Sequence, residues 1–376
     1  MENQTINIKK VILTAGAFCA FWIGSGFATG QEVMQFLTTS GVTKGIIGAS
    51  IYTILLLWFV YCLYGVGQKM QFDNPYDLFV YYCGKYVGQV YTWFSLVLMY
   101  AIYVVMLAGA GATINQYYGI PITAGTYGVA LAALATALLG VEKLLDFIGV
   151  IGPIKILFIA AICIAAIATL AHDPGLLAAN SALMPAGFPT ASGNWFWSAL
   201  LWAFLGLMFG ATFFVMSGAT CKSVKEARLG GAIGVIVMFF VIIVLIIAEI
   251  VYLDIIKGQQ VLTLAIAKEV APALAAAFAP ILIICIYSAV ASILLVCTRK
   301  FAVDKTKKFN IIAVVLTAIG MFTGTLLPFD QLVNIIYPLS GYAGIILVLF
   351  MAYKEFINKN AFPFEKATDK TKEAEA

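Results

Sequence analysis

The sequence predicts an all-α integral membrane protein with about ten transmembrane helices in one bundle. Of its 376 residues, 62% are hydrophobic and only 11% are charged, which is too little polar surface to cover a soluble core. The hydrophobic residues fall in long runs, and about 20 in a row are enough to cross a bilayer as a helix. Because the runs are continuous rather than alternating, they favour helices over a β-barrel.

Ten segments of this kind follow one another with short polar connections. We place them at residues 9–38, 45–67, 88–116, 122–140, 145–171, 194–220, 229–253, 271–298, 309–326 and 331–354. They form one predicted transmembrane domain over residues 1–357. The segment 358–376 is rich in Lys, Glu and Thr and is predicted to be a disordered tail.

Basic residues are distributed unevenly between the two sides of the predicted membrane. With the N-terminus inside, the outer segments contain only Lys44, Lys257 and Lys268, and Lys155 lies within a span; the remaining Lys and Arg residues fall on inner segments. Because basic residues are retained on the cytoplasmic side, we predict that both termini are cytoplasmic. The net charge of +4 gives no indication of a nucleic-acid partner.

Several common activities have no motif in this chain. The seven cysteines show no C-x-x-C pair and are interpreted as small buried hydrophobic residues. The sequence contains no phosphate-binding loop motif, so nothing in it suggests an ATP-driven pump. His172 stands alone in an outer loop, which argues against a metal-dependent membrane enzyme. We therefore expect no catalytic residue set, no resident metal and no cofactor.

The spacing of the spans indicates an internal repeat. Pairing span one with six, two with seven and so on gives a nearly constant offset of about 185 residues, and five spans per half is an odd number, so the second half would enter the membrane inverted. The predicted repeats are residues 9–171 and 194–354. Any ten evenly spaced spans would give a similar offset, so spacing alone does not decide.

Glycines near the middle of the first span of each half favour the repeat. Span one contains Gly24, Ser25 and Gly26, and span six contains Gly206 and Gly210. Glycine weakens a helix and lets a ligand approach its backbone, and an unwound turn offers peptide N–H and C=O groups to a zwitterion. The alternative interpretation is close helix packing through small residues.

These two motifs resemble a known family. The segment 23–27 (IGSGF) resembles the I-G-S-G-I-F signature of the first span in the amino acid-polyamine-organocation (APC) superfamily, and 202–206 (WAFLG) resembles its F-A-F-x-G in span six. The segment 16–36 looks most like the uncharacterised bacterial YkvI-type membrane proteins. The resemblance implies the LeuT-type fold, a 5+5 inverted repeat with discontinuous helices one and six, in a bacterial-type plasma membrane.

The resemblance also implies a solute site between spans one, three, six and eight. Backbone amides would bind a carboxylate at Gly24, Ser25 and Gly26. Carbonyls would bind an ammonium at Ile23, Ala203 and Phe204, with Gly206 beside them. The acidic residue that often follows the span-six glycine in amino-acid permeases is absent, and Leu207 and Met208 stand there, so the substrate stays open.

The function that the resemblance implies is secondary active transport of a small amino acid or related amine by alternating access. In related transporters a lysine at the place of Lys155 substitutes for a sodium ion, which implies sodium-independent transport with protons as the coupling ion. Two alternatives stay open. One is a nutrient-sensing receptor of the same fold, and the other is a carrier of quaternary or polyamine cations that uses Glu32 and aromatic faces. The oligomeric state is not predicted.

Ionisable residues inside spans are candidate coupling residues because an unpaired charge is costly there. Lys155 follows Pro153 near mid-depth of span five; it either couples ions or bridges backbone carbonyls at the span-one break. Glu32 and Glu249 lie in the outer halves of spans one and seven. Each is a proton carrier, a cation ligand or a gate, or is simply hydrated in an outer vestibule.

Uncharged side chains complete the candidate set. Ser288 and Ser292 share one face of span eight and are candidate ligands for a cation or for Lys155, although serines in spans often bond their own helix. Tyr100 and Tyr103 in span three lie at the depth expected for solute. Trp22, and beside the second break Phe204, are candidate gates. Packing is the alternative for each of these aromatic residues.

Overall fold

A computed structural model describes residues 6–139, 143–185 and 187–364, and the side chains of residues 143–153 and 155 lie outside this description. The regular structure of the described residues is helical throughout. The first-half helices are α1 (Ile8–Trp22), α2 (Ser25–Ala28), α3 (Gln31–Phe36), α4 (Gly41–Met70), α5 (Asp77–Tyr118), α6 (Ile122–Leu139) and α7 (Lys143–Ala168). The later helices are α8 (Leu176–Ala182), α9 (Trp195–Ala219), α10 (Val224–Val251), α11 (Leu253–Ile256), α12 (Leu262–Val270), α13 (Pro272–Arg299), α14 (Lys307–Thr323) and α15 (Phe329–Ala352).

Polar side chains fix where several long helices begin. Asn7 accepts a hydrogen bond from the amide of Lys10 at the start of α1, and Asn194 accepts from the amides of Phe196 and Trp197 at the start of α9. Such caps satisfy first-turn amides that have no partner within the helix. The boundaries predicted from hydropathy therefore move to the nearest capping residue.

A helix lies on each of the ten predicted spans. Seven helices of the described chain are long and apolar enough to cross a membrane, and an eighth span is possible if the bent pair 156–171 and 176–182 counts as one. Span one falls outside this count because it is broken into α1, α2 and α3, and span nine because α14 has only 17 residues. These helices make the chain a multi-pass membrane protein.

The long helices pack as two groups. In the first group α4 packs against α9 and α10, and α10 also packs against α1. In the second, α5, α6, α13 and α14 pack against one another. The helices α7 and α15 touch both groups. A bundle of four helices thus stands beside a second layer of four, and the break in span one lies between them.

Helix contacts in the two halves correspond to each other. The contact of α1 with α7 matches that of α9 with α15, and the contact of α7 with α13 matches that of α15 with α5. The contact of α1 with α10 likewise matches that of α9 with α4. Exchange of the two halves by a twofold axis would produce this pairing, and the exact repeat boundaries stay a prediction.

The prediction of two discontinuous helices is correct for span one and wrong for span six. In span one the helix ends at Trp22 and restarts at Ser25. In span six, α9 is one helix from Trp195 to Ala219 and passes Gly206 without interruption. Gly206 has a packing role instead, because the ring of Trp22 lies against it.

Candidate functional site

The break in span one exposes peptide groups between two short helices. Ile23 and Gly24 have non-helical backbone angles, and Gly30 adopts a left-handed conformation with φ of 88° between α2 and α3. Amides in the first turn of a helix have no acceptor within that helix. The amide of Gly24, however, donates to the carbonyl of Trp22 at 2.9 Å. Gly24 is therefore not available to bind a carboxylate through its amide, contrary to the prediction.

The carboxylate of Glu32 points back into this break. Its Oε2 accepts a hydrogen bond from the indole nitrogen of Trp202 at 3.3 Å, and the Phe27 amide and the Tyr337 hydroxyl interact with it electrostatically. The carboxylate also fills the space beside Gly26 where a side chain would lie. The chain's own carboxylate thus occupies the amide end of the break, where the sequence predicted the carboxylate of a solute.

Aromatic packing holds the indole of Trp202 in place. Its ring stacks on Tyr52 with centroids 4.2 Å apart, and it is also stacked between Phe27 and Phe36 at 6.5 and 6.1 Å. Trp202 is 1% exposed. A buried indole N–H needs an acceptor, and Glu32 supplies it.

A small cavity of about 30 Å³ lies against Glu32. A cavity needs about 10–15 Å³ to hold one water molecule, so this space suits water rather than a solute. Its walls come from α1, the Gly24 break, α3, α5, α9 and α15: Trp22, Gly24, Glu32, Ile102, Met106, Trp202, Leu205, Gly206, Phe209 and Tyr337.

A larger cavity of about 260 Å³ adjoins the first one on the side where α1 begins. The two share Gly24, Met106 and Phe209 in their walls. Ser288 and Ser292 also line it, as predicted for a site between spans one and eight, but their hydroxyls donate to the carbonyls of Cys285 and Ser288 in their own helix. We call this cavity the vestibule.

Glutamine side chains close the opposite end of the bundle. Gln35, which is fully buried, donates to Gln31 at 3.0 Å and to the carbonyl of Asp330 at 2.9 Å, and it accepts from Asn334 at 3.1 Å. Gln31 in turn donates to the carbonyls of residues 259 and 260. These bonds connect α3, α15 and the loop before α12. The site is thus closed at the α12 end and adjoins the vestibule on the side where α1 begins.

Thr263 attaches α12 directly to the broken span. Its hydroxyl donates to the carbonyl of Ala28 at 2.7 Å, and its amide donates to the carbonyl of Thr29 at 3.2 Å. Both carbonyls lie at the end of α2, where the helix stops before Gly30. Movement of α12 would therefore act on the segment that holds Glu32.

Glu249 is completely buried and is not hydrated in an outer vestibule, which was one of the predicted alternatives. Its Oε2 accepts a 2.6 Å hydrogen bond from Thr38, and its Oε1 has no hydrogen-bond partner among the described atoms. That oxygen lies 2.7 Å from where a β-carbon of Gly30 would be. A second carboxyl group, this one completely buried, therefore lies against the other bend of the broken span.

Trp22 lies at the cavity as the gate prediction requires. Its ring stacks on Phe18 and Phe214 at 5.3 and 5.8 Å. The face of α9 beside it is formed by Gly206, whose missing side chain provides room for the indole. Gly206 is therefore at the site, as predicted, but as a contact surface rather than a helix break.

The predicted carbonyl ligands on span six are not exposed. Because α9 is unbroken at Ala203 and Phe204, their carbonyls are engaged in helical hydrogen bonds. The Phe204 carbonyl also lies against Gly344 of α15. Neither residue is part of the wall of the cavity at Glu32 or of the vestibule, so the structure contradicts both ligand assignments and the gate assignment of Phe204.

The predicted tyrosines of span three point toward α14. The hydroxyl of Tyr100 donates to the carbonyl of Leu316 at 2.7 Å, and the ring of Tyr103 packs on Gly320. The residues of α5 at the cavity are instead Ile102 and Met106. The cavity residues are close neighbours of the two tyrosines along α5 but lie on another face of the helix, since neighbouring residues of a helix differ by about 100°.

Three site residues remain. Ser25 lies in the break, 2% exposed, with a hydroxyl that has no partner among the described atoms. Ile23 lines the vestibule. Lys155 is on α7, which packs against α1 and α13, and its side chain lies outside the described part of the chain.

Sequence reasoning missed Trp202 and Tyr337 as partners of Glu32. Trp202 is the first residue of the WAFLG motif, whose glycine was the predicted site residue. Tyr337 precedes Pro338, a proline inside the last span. That proline was the one sequence feature that could have drawn attention to this position. No group of three or more His, Cys, Asp or Glu side chains suited to a metal ion occurs among the described residues.

Comparison with solved structures identifies the architecture. MhsT in complex with L-phenylalanine superimposes with a TM-score of 0.61 at 16% identity, covering 94% of this chain and 90% of that one. A mutant of the manganese transporter of Eremococcus coleocola gives a TM-score of 0.53 at 13% identity, covering 94% of this chain and 79% of that one. The chain has the LeuT-type fold. The predicted all-α membrane fold of LeuT type is thereby confirmed, with span six unbroken.

Comparison by sequence places the chain less closely. No family model matches it. The uncharacterized protein YyaD of Bacillus subtilis is 24% identical over 149 residues, which are 40% of this chain and 41% of YyaD. The match thus spans less than half of that relative.

Proposed function

We propose that the protein is a secondary active transporter of a small amino acid or related amine, working by alternating access without sodium and with protons. The observation that supports this most directly is the broken first span, whose Gly24 and Glu32 line a small cavity that shares wall residues with the vestibule, while the glutamine contacts lie at the opposite end. A barrier on one side and an approach on the other is the arrangement that alternating access requires.

The position of Glu32 favours the ammonium group as the part of the solute recognised there. A carboxylate that is already in the break would repel a second one and would attract a cation. The aromatic residues Trp22, Trp202 and Phe209 line the same cavity, and aromatic ring faces can contact a cation. This arrangement favours an amine, and it keeps a carrier of quaternary or polyamine cations as a second candidate.

The site must change shape to admit solute. The cavity at Glu32 has about 30 Å³, whereas small-molecule sites occupy about 300–1,000 Å³. We propose that solute enters from the vestibule by displacing Phe209 and Met106 from the shared wall. The glutamine contacts at the α12 end would then open in the next step of the cycle.

Binding by purified protein tests the substrate class. Amino acids, simple amines and quaternary amines are added singly, and thermal stabilisation is measured. We expect amines with a free ammonium group to stabilise the protein and Glu32→Gln to weaken their binding about tenfold or more, a loss of about 1.4 kcal/mol. Glu269→Gln, at an exposed acid on α12, is the matched control. Equal binding by Glu32→Gln and the wild type would exclude Glu32 from the site.

Uptake into proteoliposomes tests the coupling. We expect uptake to depend on a pH gradient, to proceed without sodium, and to lose its pH dependence in Lys155→Ala. Uptake that requires sodium, or that ignores both the gradient and the substitution, would remove the coupling proposal. Solute binding without any flux would instead favour a receptor of the same fold.

A further inference from the structure

A third cavity, separate from the broken span, lies at the end of the bundle where α4 ends and α10 begins. It has a volume of about 630 Å³, larger than the vestibule. Its walls come from the second half of α4, the starts of α5 and α10 and the segment after α15: Trp58, Tyr61, Cys62, Gly65, Val66, Lys69, Met70, Tyr81, Arg228, Lys354, Glu355, Phe356 and Lys359. We call it the basic pocket.

The basic pocket has a strong excess of positive charge. Lys69, Arg228, Lys354 and Lys359 line it, together with one acid, Glu355. The carboxylate of Glu355 accepts a hydrogen bond from Tyr82 at 2.9 Å. The one ion pair within the described part of the chain joins Arg299 to Asp304, so none of the four pocket cations is paired with a described carboxylate.

Two of these cations are held in fixed positions. The Nε of Arg228 donates to the carbonyl of Tyr61 at 2.9 Å, and its guanidinium lies 3.6 Å above the Tyr61 ring. Gly65 makes this possible, since a β-carbon there would come within 2.8 Å of the guanidinium. The ammonium of Lys354 is buried and donates to the carbonyls of Tyr81 and Phe362. The positions of two of the four cations are therefore determined by the fold.

Apolar side chains exposed on the outer surface flank the basic pocket. Phe356 is 73% exposed and Tyr61 is 55% exposed. Ile54, 65% exposed, lies seven residues before Tyr61 on the same face of α4. In a multi-pass membrane protein this surface faces acyl chains. A positively charged pocket at the end of the helices therefore continues into a surface suited to hydrocarbon.

We propose that the basic pocket binds the headgroup of an anionic phospholipid from the leaflet at this end of the bundle. The phosphate would lie among Lys69, Arg228 and Lys359, and the acyl chains would follow α4 past Tyr61 and Ile54. Basic pockets between transmembrane helices recognise anionic headgroups in this way, and arginine suits phosphate geometrically. The proposal is independent of the substrate of the broken span.

Native mass spectrometry of the full chain in neutral detergent tests the proposal. Phosphatidylglycerol and phosphatidylcholine of equal chain length are titrated separately, and inorganic phosphate serves as a third arm. We expect phosphatidylglycerol to bind in preference to phosphatidylcholine, and phosphate alone not to displace it. The variant Lys69→Gln/Lys359→Gln should bind phosphatidylglycerol about thirtyfold more weakly, since each basic residue contributes a factor of about five.

Two further variants distinguish binding in the basic pocket from nonspecific attraction of the lipid to positive charge. Lys225→Gln/Lys308→Gln removes two exposed lysines near the same end but outside the pocket and should leave binding unchanged. Gly65→Ala keeps every charge but displaces the guanidinium of Arg228, and it should weaken binding. An equal loss in the control pair, equal affinity for both lipids, or displacement by inorganic phosphate would overturn the proposal. Tight lipid binding only after deletion of residues 365–376 would also overturn it, because the occupant would then be the chain's own tail.

Discussion

The indole of Trp22 lies 2.8 Å from the position that a β-carbon would take at Gly206. The two residues come from the broken span and from the first span of the second half, and both line the cavity at Glu32. We expect Gly206→Ala to push the indole into the cavity, to destabilise the protein by about 1–3 kcal/mol and to abolish solute binding. Thermal unfolding and the binding assay measure the two effects.

Gly128→Ala is the matched control for that substitution. Gly128 lies on the spanning helix α6, and a β-carbon there would meet no atom within 4 Å. Alanine favours helix over glycine by about 1 kcal/mol, so this variant should be at least as stable as the wild type and should bind solute normally. If both variants behave alike, contact with Trp22 is not the reason for glycine at 206.

The two glycine motifs show what the sequence can and cannot specify. Glycine is permitted both where a helix unwinds and where another side chain must approach its backbone. At Gly24 the first cause applies, and at Gly206 the second. The sequence marks both positions as places of close approach. Whether a glycine unwinds the helix or contacts another side chain depends on residues distant in sequence, such as Trp22 at Gly206.

Helix positions were predictable because a bilayer span requires a continuous apolar run. Helix rotation was not, because a span such as α5 is apolar on all sides and offers no polar face by which to orient it. Tyr103 and Ile102 are therefore equally plausible cavity residues from sequence. The partners of Glu32 were hidden for a related reason, since Trp202 and Tyr337 are two aromatic residues among many.

The contact of Thr38 with Glu249 gives a second prediction. Thr38→Val removes the hydrogen bond to a buried carboxyl group whose other oxygen already lacks a described partner. We expect a loss of about 1–3 kcal/mol in the free energy of unfolding, the usual cost of an unsatisfied buried group. Glu249→Gln should keep the bond from Thr38 and remain folded, but should change the pH dependence of uptake if Glu249 carries a proton.

Thr53→Val provides the comparison for Thr38→Val. Thr53 is also buried, but its hydroxyl donates to the carbonyl of Ala49 in its own helix, and that carbonyl keeps its helical partner. We expect little loss of stability from this change. A similar loss in both threonine variants would mean that the Glu249 contact contributes nothing specific.

Loss of the glutamine contacts at the α12 end should open the site to solvent at that end more often. Gln35→Leu removes the bonds to Gln31, to the Asp330 carbonyl and from Asn334. Each bond contributes about 1 kcal/mol, so the closed end should open more often. Hydrogen exchange at the amides of residues 259–264 should become faster, with exchange in α6 unchanged. Gln89→Leu, at an exposed glutamine of α5, should leave exchange at both places as it is.

Two tyrosines test which face of the bundle recognises solute. Tyr337→Phe removes a hydroxyl that interacts with Glu32 at the cavity, and it should weaken amine binding about fivefold, which corresponds to the roughly 1 kcal/mol of a typical hydrogen bond. Tyr100→Phe removes the bond to the Leu316 carbonyl on the far side of α5, so it should lower stability slightly and leave binding unchanged. The same substitution at similar depth thus separates the two faces. The opposite result would return the solute to the face of α5 that the sequence first suggested, and it would leave Glu32 without a role in recognition.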